Sequence, residues 1–119
     1  MSAPAPTLAT SVLKHTPSGD PVEGFGLDAE HPAPFEASRW SLAPGFTSDW
    51  DEHDVVELWF VSTGTGIVSH GEVTVRVRAG DAVYMPSRTR HRVHNDGDEP
   101  ITLFSAWWSP VVSEAVSSA

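Results

Sequence analysis

Short runs of residues that alternate between apolar and polar side chains dominate the middle of this 119-residue chain. A period of two is typical of β-strands, because successive side chains point to opposite faces of a sheet. Turn-forming pairs such as Pro44-Gly45 and Gly80-Asp81 separate the runs at intervals of about 8 to 12 residues, the spacing of a sandwich or barrel. The predicted strands are Phe35–Leu42, Val55–Ser62, Gly66–Ser69, Val73–Arg78, Ala82–Met85, Arg90–His94 and Ile101–Trp108. We therefore predict an all-β domain.

The length of the chain lies near the middle of the usual single-domain range, so one compact core is expected. Residues 1–10 are rich in Ala, Pro, Ser and Thr, and residues 113–119 are similar in composition. We predict a flexible tail at each end of a barrel that spans residues 11–112. Only Val111–Ser118 and Thr10–His15 compete as helices, and the second is equally compatible with an edge strand.

The charge balance excludes several classes of partner. The formal net charge is −9 and the pI is about 4.8, so the surface repels nucleic-acid phosphates and anionic lipids. No apolar run approaches the roughly 18 to 20 residues of a membrane span, and the first residues lack the basic and apolar blocks typical of a secretion signal. We expect a cytoplasmic protein without nucleic-acid or membrane partners. Because the chain has no cysteine, His, Asp or Glu must hold any metal.

Imidazole and carboxylate side chains form a constellation suited to metal binding. On an extended chain Asp51, His53 and Glu57 share one face, because side chains alternate across the pleat. If the later imidazole-bearing strand belongs to the same barrel, His91 completes the group while His94 points to the other face. Two imidazoles and one carboxylate form the facial arrangement used by non-haem iron(II) enzymes.

The spacing of these residues resembles the two sequence motifs of the cupin family. The first motif, G-x5-H-x-H-x3,4-E-x6-G, is similar to residues 45–64, where Asp51 replaces the first His. The second motif, G-x5-P-x-G-x2-H-x3-N, is similar to residues 80–95, where Arg88 replaces the middle Gly. The matching positions are Gly45, His53, Glu57, Gly64, Gly80, Pro86, His91 and Asn95.

The resemblance implies a double-stranded β-helix, or jelly roll, with one divalent metal ion in the mouth of the barrel. It also implies that His53, Glu57 and His91 are metal ligands. Asp51 is either a fourth ligand, which makes the site charge-neutral and favours harder metals, or a proton acceptor beside a three-ligand site. The candidate metals are iron, manganese, zinc and nickel, of which iron and manganese are favoured.

Arg88 stands where the family motif has a glycine, and we expect its guanidinium near the mouth of the pocket. There it can pair with Asp51 or capture an anionic substrate. Asp51 and Arg88 are therefore the two candidate catalytic residues.

The cupin barrel hosts many reactions, so the residues must decide between them. We expect an enzyme of secondary metabolism in which the metal, as a Lewis acid, polarises a small oxygen-bearing substrate for cyclisation, isomerisation or tautomerisation. One alternative is a non-haem iron(II) dioxygenase. Another is a non-catalytic cupin that binds a small ligand, although no segment is long and basic enough for the helix-turn-helix of a regulator.

A homodimer is expected, because exposed sheet edges tend to be covered. The segment around Leu8 to Leu13 is the candidate strand for addition to a partner's sheet. A monomer seen by light scattering at micromolar concentration would contradict this expectation.

Overall fold

Nine β-strands and no helix make up the part of the chain that the computed structural model describes, residues 7–110. The strands are β1 (Thr10–His15), β2 (Pro21–Phe25), β3 (Glu36–Leu42), β4 (Val56–Thr63), β5 (Thr65–His70), β6 (Val73–Arg78), β7 (Ala82–Met85), β8 (His91–His94) and β9 (Ile101–Trp108). None of these residues belongs to a helix that could cross a membrane. Of the predicted tails, residues 1–6 and 113–119 lie outside the described residues, as does the possible helix Val111–Ser118.

The strands form two antiparallel sheets. Six strands lie in the order β1-β2-β3-β9-β4-β7, and three lie in the order β6-β5-β8. Several neighbours in space are distant in sequence, such as β3 beside β9 and β5 beside β8. This connectivity is that of a jelly roll. The predicted all-β class and jelly-roll fold are confirmed.

The core lies between the two sheets and follows the predicted alternation. In β9 the side chains of Leu103 and Ser105 are buried, whereas Phe104 is exposed. Trp40 of β3 packs edge-to-face on Trp59 of β4 with 5.2 Å between ring centroids. The indole N–H of Trp40 donates to Ser105 Oγ at 3.1 Å, so this buried polar group is satisfied. Aromatic packing thus forms the inner wall that faces the site described below.

The sequence pattern does not predict β2, because Pro and Gly are unfavourable in strands. Pro21 is its first residue, a position where the missing N–H is tolerated. Gly24 makes room for the neighbouring strand, since a Cβ there would lie 3.1 Å from side-chain carbons of Leu13. That neighbour, β1, is an edge strand with all of its residues exposed. Association of two chains through this edge stays a prediction.

Asn95, the last residue of the second motif, closes the end of the barrel. Its side chain is fully buried, and its Nδ2 donates to the carbonyl oxygens of Leu42 and Glu99 at 2.8 Å each. Its Oδ1 accepts the backbone N–H of Gly97 at 3.0 Å. Because all these partners are backbone groups, from the end of β3 and from the loop between β8 and β9, Asn95 serves the fold rather than the site.

Gly64 occupies a crowded turn, and Gly45 provides a matched control. Both have φ of +82°, but a Cβ on Gly64 would lie 2.6 Å from the Pro100 carbonyl oxygen, whereas nothing lies within 4 Å at Gly45. Gly45→Ala should cost about 1 kcal/mol of unfolding free energy through the backbone alone. Gly64→Ala should cost about 3 kcal/mol, since steric overlap is added. Urea denaturation of both variants measures the difference, and equal losses would refute the crowding.

Candidate functional site

Asp51 lies opposite His91 in a short antiparallel bridge. The Asp51 N–H donates to the His91 carbonyl at 3.0 Å, and the His91 N–H donates to the Asp51 carbonyl at 2.9 Å. Directly opposed residues of an antiparallel pair have their side chains on the same face. The bridge therefore brings together two sequence motifs that lie about forty residues apart in the chain.

His91 presents an unsatisfied nitrogen to this face. Its Nδ1 lies 3.1 Å from the Thr89 carbonyl oxygen, and because a carbonyl only accepts, Nδ1 carries a proton. Its Nε2 is buried and makes no hydrogen bond. The indole of Trp59 packs edge-to-face on the imidazole at 5.1 Å and fixes its orientation. A buried polar atom without a partner costs free energy, and coordination of a metal ion would satisfy it.

The carboxylate of Glu57 lies beside this nitrogen. Its Oε1 is 3.3 Å from His91 Nε2, near enough for charge attraction although the alignment is not that of a hydrogen bond. Its Oε2 accepts the indole N–H of Trp59 at 2.8 Å. Burial acts to raise the pKa of Glu57, but His91 and Trp59 lower it more, so the pKa lies below its ordinary value. Glu57 is therefore an anion at neutral pH.

The contact between Glu57 and His91, which lowers the pKa of Glu57, raises the pKa of His91. Burial lowers the pKa of His91, but Glu57 and the Thr89 carbonyl raise it more, and the net pKa is raised. A proton and a metal ion therefore compete for Nε2.

His53 reaches the site from the segment before β4 rather than from a strand. β4 begins at Val56, so the strand alternation that predicted a shared face with Glu57 does not extend to His53. The backbone N–H of Arg88 donates to the His53 carbonyl at 2.6 Å and holds this segment. The exposed imidazole of His53 lies with its centroid 5.8 Å from that of His91.

Three of the four predicted ligands form a group that could hold a metal ion, and the fourth, Glu57, lies beside His91. Ligand atoms of Asp51, His53 and His91 all lie within 4.8 Å of one another. Two atoms that each lie about 2.1 Å from one ion are about 3 to 4 Å apart, so small side-chain movements bring these atoms to coordination distance. Glu57 Oε1, at 3.3 Å from His91 Nε2, already has this spacing. Two nitrogen and two carboxylate donors suit iron or manganese.

A cavity of about 640 Å³ opens beside these residues. Its apolar wall includes the indoles of Trp40, Trp59 and Trp107, and its polar lining includes Asp51, His53 and Glu57. Such a cavity, with apolar walls and a few convergent polar groups, suits a small organic molecule.

Lys14 is the residue of the site that the sequence reasoning missed. Its Nζ lies 3.5 Å from Asp51 Oδ2, and its side chain lines the cavity. Lys14 belongs to the edge strand β1, far along the chain from either motif, and only sheet pairing brings it to Asp51. Its being the single lysine of the chain is the one signal in the sequence that distinguishes it.

Arg88 does not reach Asp51. Its Nε donates to Asp54 Oδ1 at 3.3 Å, and both side chains are largely exposed, at 80% and 88%. It is not among the residues that line the cavity. Within residues 7–110 it is the only non-glycine residue with positive φ, at 62°. The backbone at this position thus favours the glycine of the family motif.

Three further side chains brace the bridge from its other face. Trp50 precedes Asp51, while Arg90 and Arg92 flank His91, so alternation directs all three away from the ligands. The guanidinium carbons of Arg90 and Arg92 lie 4.4 and 4.0 Å from the Trp50 ring centroid. These cation–π contacts hold the Asp51 segment against β8.

Comparisons with known proteins agree with the fold. The family model for a cupin domain matches residues 38–107. A xanthan biosynthesis protein, XanB from Xanthomonas campestris, is 31% identical over 70 residues, which are 58% of this chain and 15% of that protein. A 1-hydroxy-2-naphthoate 1,2-dioxygenase from a Nocardioides species is 28% identical over 96 residues, which are 74% of this chain and 25% of that protein. The chain thus spans a quarter or less of the length of these relatives.

Solved structures are similar over nearly the whole chain. A cupin 2 conserved barrel domain protein from Salinispora arenicola matches with a TM-score of 0.70 and 25% identity, covering 99% of this chain and 97% of that one. A protein from Photorhabdus luminescens matches with a TM-score of 0.73 and 19% identity, covering 91% and 88%. At such identity the second likeness shows the fold alone.

His91→Ala should abolish metal binding, because it removes the buried nitrogen donor. We expect the dissociation constant for Mn²⁺ to rise at least about 100-fold, measured by calorimetry and by elemental analysis of protein purified without added metal. His94→Ala is the matched control on the same strand, since His94 bonds Thr47 Oγ1 at 2.7 Å instead. A His91→Ala protein that keeps its metal would refute the ligand assignment.

Asp51→Asn separates the two roles predicted for Asp51. If Asp51 is a ligand, the amide should weaken Mn²⁺ binding about ten-fold, whereas a proton acceptor outside the ligand set would leave the affinity unchanged. The position of Asp51 within the cluster predicts the first result.

Arg88→Gly should stabilise the protein by about 1 kcal/mol, because glycine adopts positive φ without the Cβ penalty. Arg88→Ala removes the same exposed ion pair with Asp54 but keeps the Cβ, and should not stabilise. Thermal denaturation compares the two variants, and equal effects would show that the side chain rather than the backbone matters.

Proposed function

The chain belongs to the cupin domain family, and from this membership we propose that it is a metal-dependent enzyme acting on a small oxygen-bearing organic substrate. The reaction class that we propose is isomerisation, tautomerisation or cyclisation of a carbonyl or enol compound.

One observation carries the proposal. The buried Nε2 of His91 has no hydrogen-bond partner, and it lies among ligand atoms of Asp51 and His53, with the Glu57 carboxylate in contact. A purely structural site would satisfy such an atom with a protein donor or acceptor. The cavity of about 640 Å³ beside these residues, lined by Asp51, His53 and Glu57, has room for a small substrate.

His53, Glu57, His91 and Asp51 would hold a divalent ion, for which iron and manganese are our first candidates. When bound, the ion supplies Lewis acidity toward a substrate oxygen. The two carboxylates balance its charge, so no net charge is buried on binding.

The protein's own groups supply orientation and proton transfer. The indole N–H of Trp59 holds Glu57 Oε2 at 2.8 Å and so limits the rotation of that carboxylate. Asp51 is partly exposed to the cavity, and its oxygen not used for coordination can accept a proton from a substrate carbon. The indole wall formed by Trp40, Trp59 and Trp107 limits water around the reacting groups.

An oxygen-dependent reaction is the second candidate. It is favoured by the dioxygenase relative from Nocardioides, whose likeness extends over 74% of this chain. Two imidazoles with carboxylates are also a donor set of non-haem iron(II) oxygenases. The same residues would hold the iron, and the cavity would then take a hydroxylated aromatic acid.

Metal removal tests both candidates. Exchange of the α-hydrogens of a keto acid in D₂O, followed by proton NMR, reports enolisation without requiring oxygen. Chelator-treated protein should exchange at least about 100-fold more slowly than protein reloaded with Fe²⁺ or Mn²⁺. Oxygen uptake with 1-hydroxy-2-naphthoate, followed with an electrode, tests the dioxygenase.

Equal rates with and without metal would refute a metal-dependent enzyme. Turnover that stops under anaerobic conditions would favour the dioxygenase, and turnover that continues would favour the Lewis-acid reaction. Metal-loaded protein that binds these compounds but turns over none of them would contradict both reactions and indicate a binding role.

A further inference from the structure

An irregularity in the edge strand directs Lys14 into the cavity. Val12 is paired with Glu23 of β2, but Lys14 is paired with Val22, so β1 contains one extra residue at this point. Without this bulge, alternation would place Lys14 on the same face as Val12, outside the barrel. With it, Lys14 shares the inner face with buried Val22. Bulges of this kind often re-aim a side chain beside an active site.

Among the described residues that line that cavity, Lys14 carries the only permanent positive charge. Of the described residues that line the cavity, no other is a lysine or an arginine, and the carboxylates are Asp49, Asp51, Glu52, Asp54 and Glu57. The ammonium carries up to three N–H donors, and its one charged contact is Asp51 Oδ2 at 3.5 Å. Donors therefore remain for a further acceptor.

Stabilisation of the fold does not account for this arrangement. The Lys14 side chain is 57% exposed and that of Asp51 is 31% exposed, and an ion pair between exposed groups contributes little to stability. A ligand that binds in the cavity better explains the placement of Lys14.

We propose that Lys14 is a substrate-binding residue that orients an anionic oxygen, a carboxylate or an enolate, of a molecule bound at the metal. This inference rests on the proposed function and narrows the substrate to small organic acids or acidic enols. Lys14 lies next to Asp51, whose ligand atom is within 4.8 Å of those of His53 and His91, so a molecule of a few carbon atoms spans the distance. The negative charges of Asp51 and Glu57 neutralise the divalent ion. The positive charge that balances the anionic substrate then comes from Lys14.

Pyruvate and methyl pyruvate form a matched pair of probes for this role. Both carry the same ketone, but the ester lacks the negative charge. Binding to Mn²⁺-loaded protein can be measured through the paramagnetic relaxation of the ligand methyl protons. Wild-type protein should bind pyruvate more tightly than the ester, because the ammonium–carboxylate contact is charge-assisted.

Lys14→Met should raise the dissociation constant of pyruvate about ten-fold and leave that of methyl pyruvate within about two-fold. Lys14→Arg should restore most of the pyruvate affinity, since it returns the charge. Arg78→Met is the matched control: it changes the net charge equally, but Arg78 is exposed on the other sheet and does not line this cavity. Metal content and thermal denaturation are compared across all four proteins.

Unchanged pyruvate affinity in Lys14→Met would overturn the role of Lys14 while leaving the metal site intact. Equal losses for pyruvate and its ester, or an equal loss in Arg78→Met, would also overturn it, because the effect would then not be a local charge contact. If wild-type protein holds no Mn²⁺, the proposed function fails together with this inference. If it holds Mn²⁺ and the affinities for pyruvate and its ester differ as expected, the proposed function and the role of Lys14 are both supported.

Discussion

The reciprocal backbone hydrogen bonds between Asp51 and His91 are the contact on which the site depends. They join the segment before β4 to the start of β8 and set two candidate ligands side by side. Further hydrogen bonds, from Gly45 to Asn95 and from Ser48 to Val93, continue the same pairing along the two segments. On the outer face of this bridge Arg90 and Arg92 stack on Trp50. These contacts support the backbone pairing that positions the candidate ligands on the opposite face.

The chemistry of the site follows from which of its buried polar atoms have hydrogen-bond partners. The fold satisfies the indole N–H of Trp40, the amide of Asn95 and the Nδ1 of His91 with protein partners. In the same region it leaves His91 Nε2 buried without one. Among the side chains of residues 7–110 it is the one fully buried nitrogen or oxygen without a hydrogen-bond partner, and a metal ion would satisfy it. The charged carboxylate of Glu57 beside it is consistent with a cation at this point.

Backbone irregularities position the side chains around the ligands. Arg88 adopts positive φ, and its backbone N–H donates to the carbonyl of His53. The bulge in β1 rotates Lys14 from the outer face to the cavity. The first lies in the turn between β7 and β8 and the second in a strand, and each lies beside a candidate metal ligand. Departures of this kind are tolerated where a side chain must be aimed.

The sequence alone determined the fold class, most of the strands and the identity of the candidate ligands. Alternation is a local property, so β3 to β9 were predicted nearly to the residue, and the fixed spacing within each motif singled out His53, Glu57, His91 and Asp51. Only the tertiary structure decided which partners these residues have. The strand β2, with its proline and glycine, takes its conformation from pairing rather than propensity. Arg88 turned out to pair with Asp54, and Lys14 with Asp51, because contacts between side chains depend on sheet register. A single bulged residue reverses the face to which a side chain points, and the alternation pattern of the sequence does not reveal it.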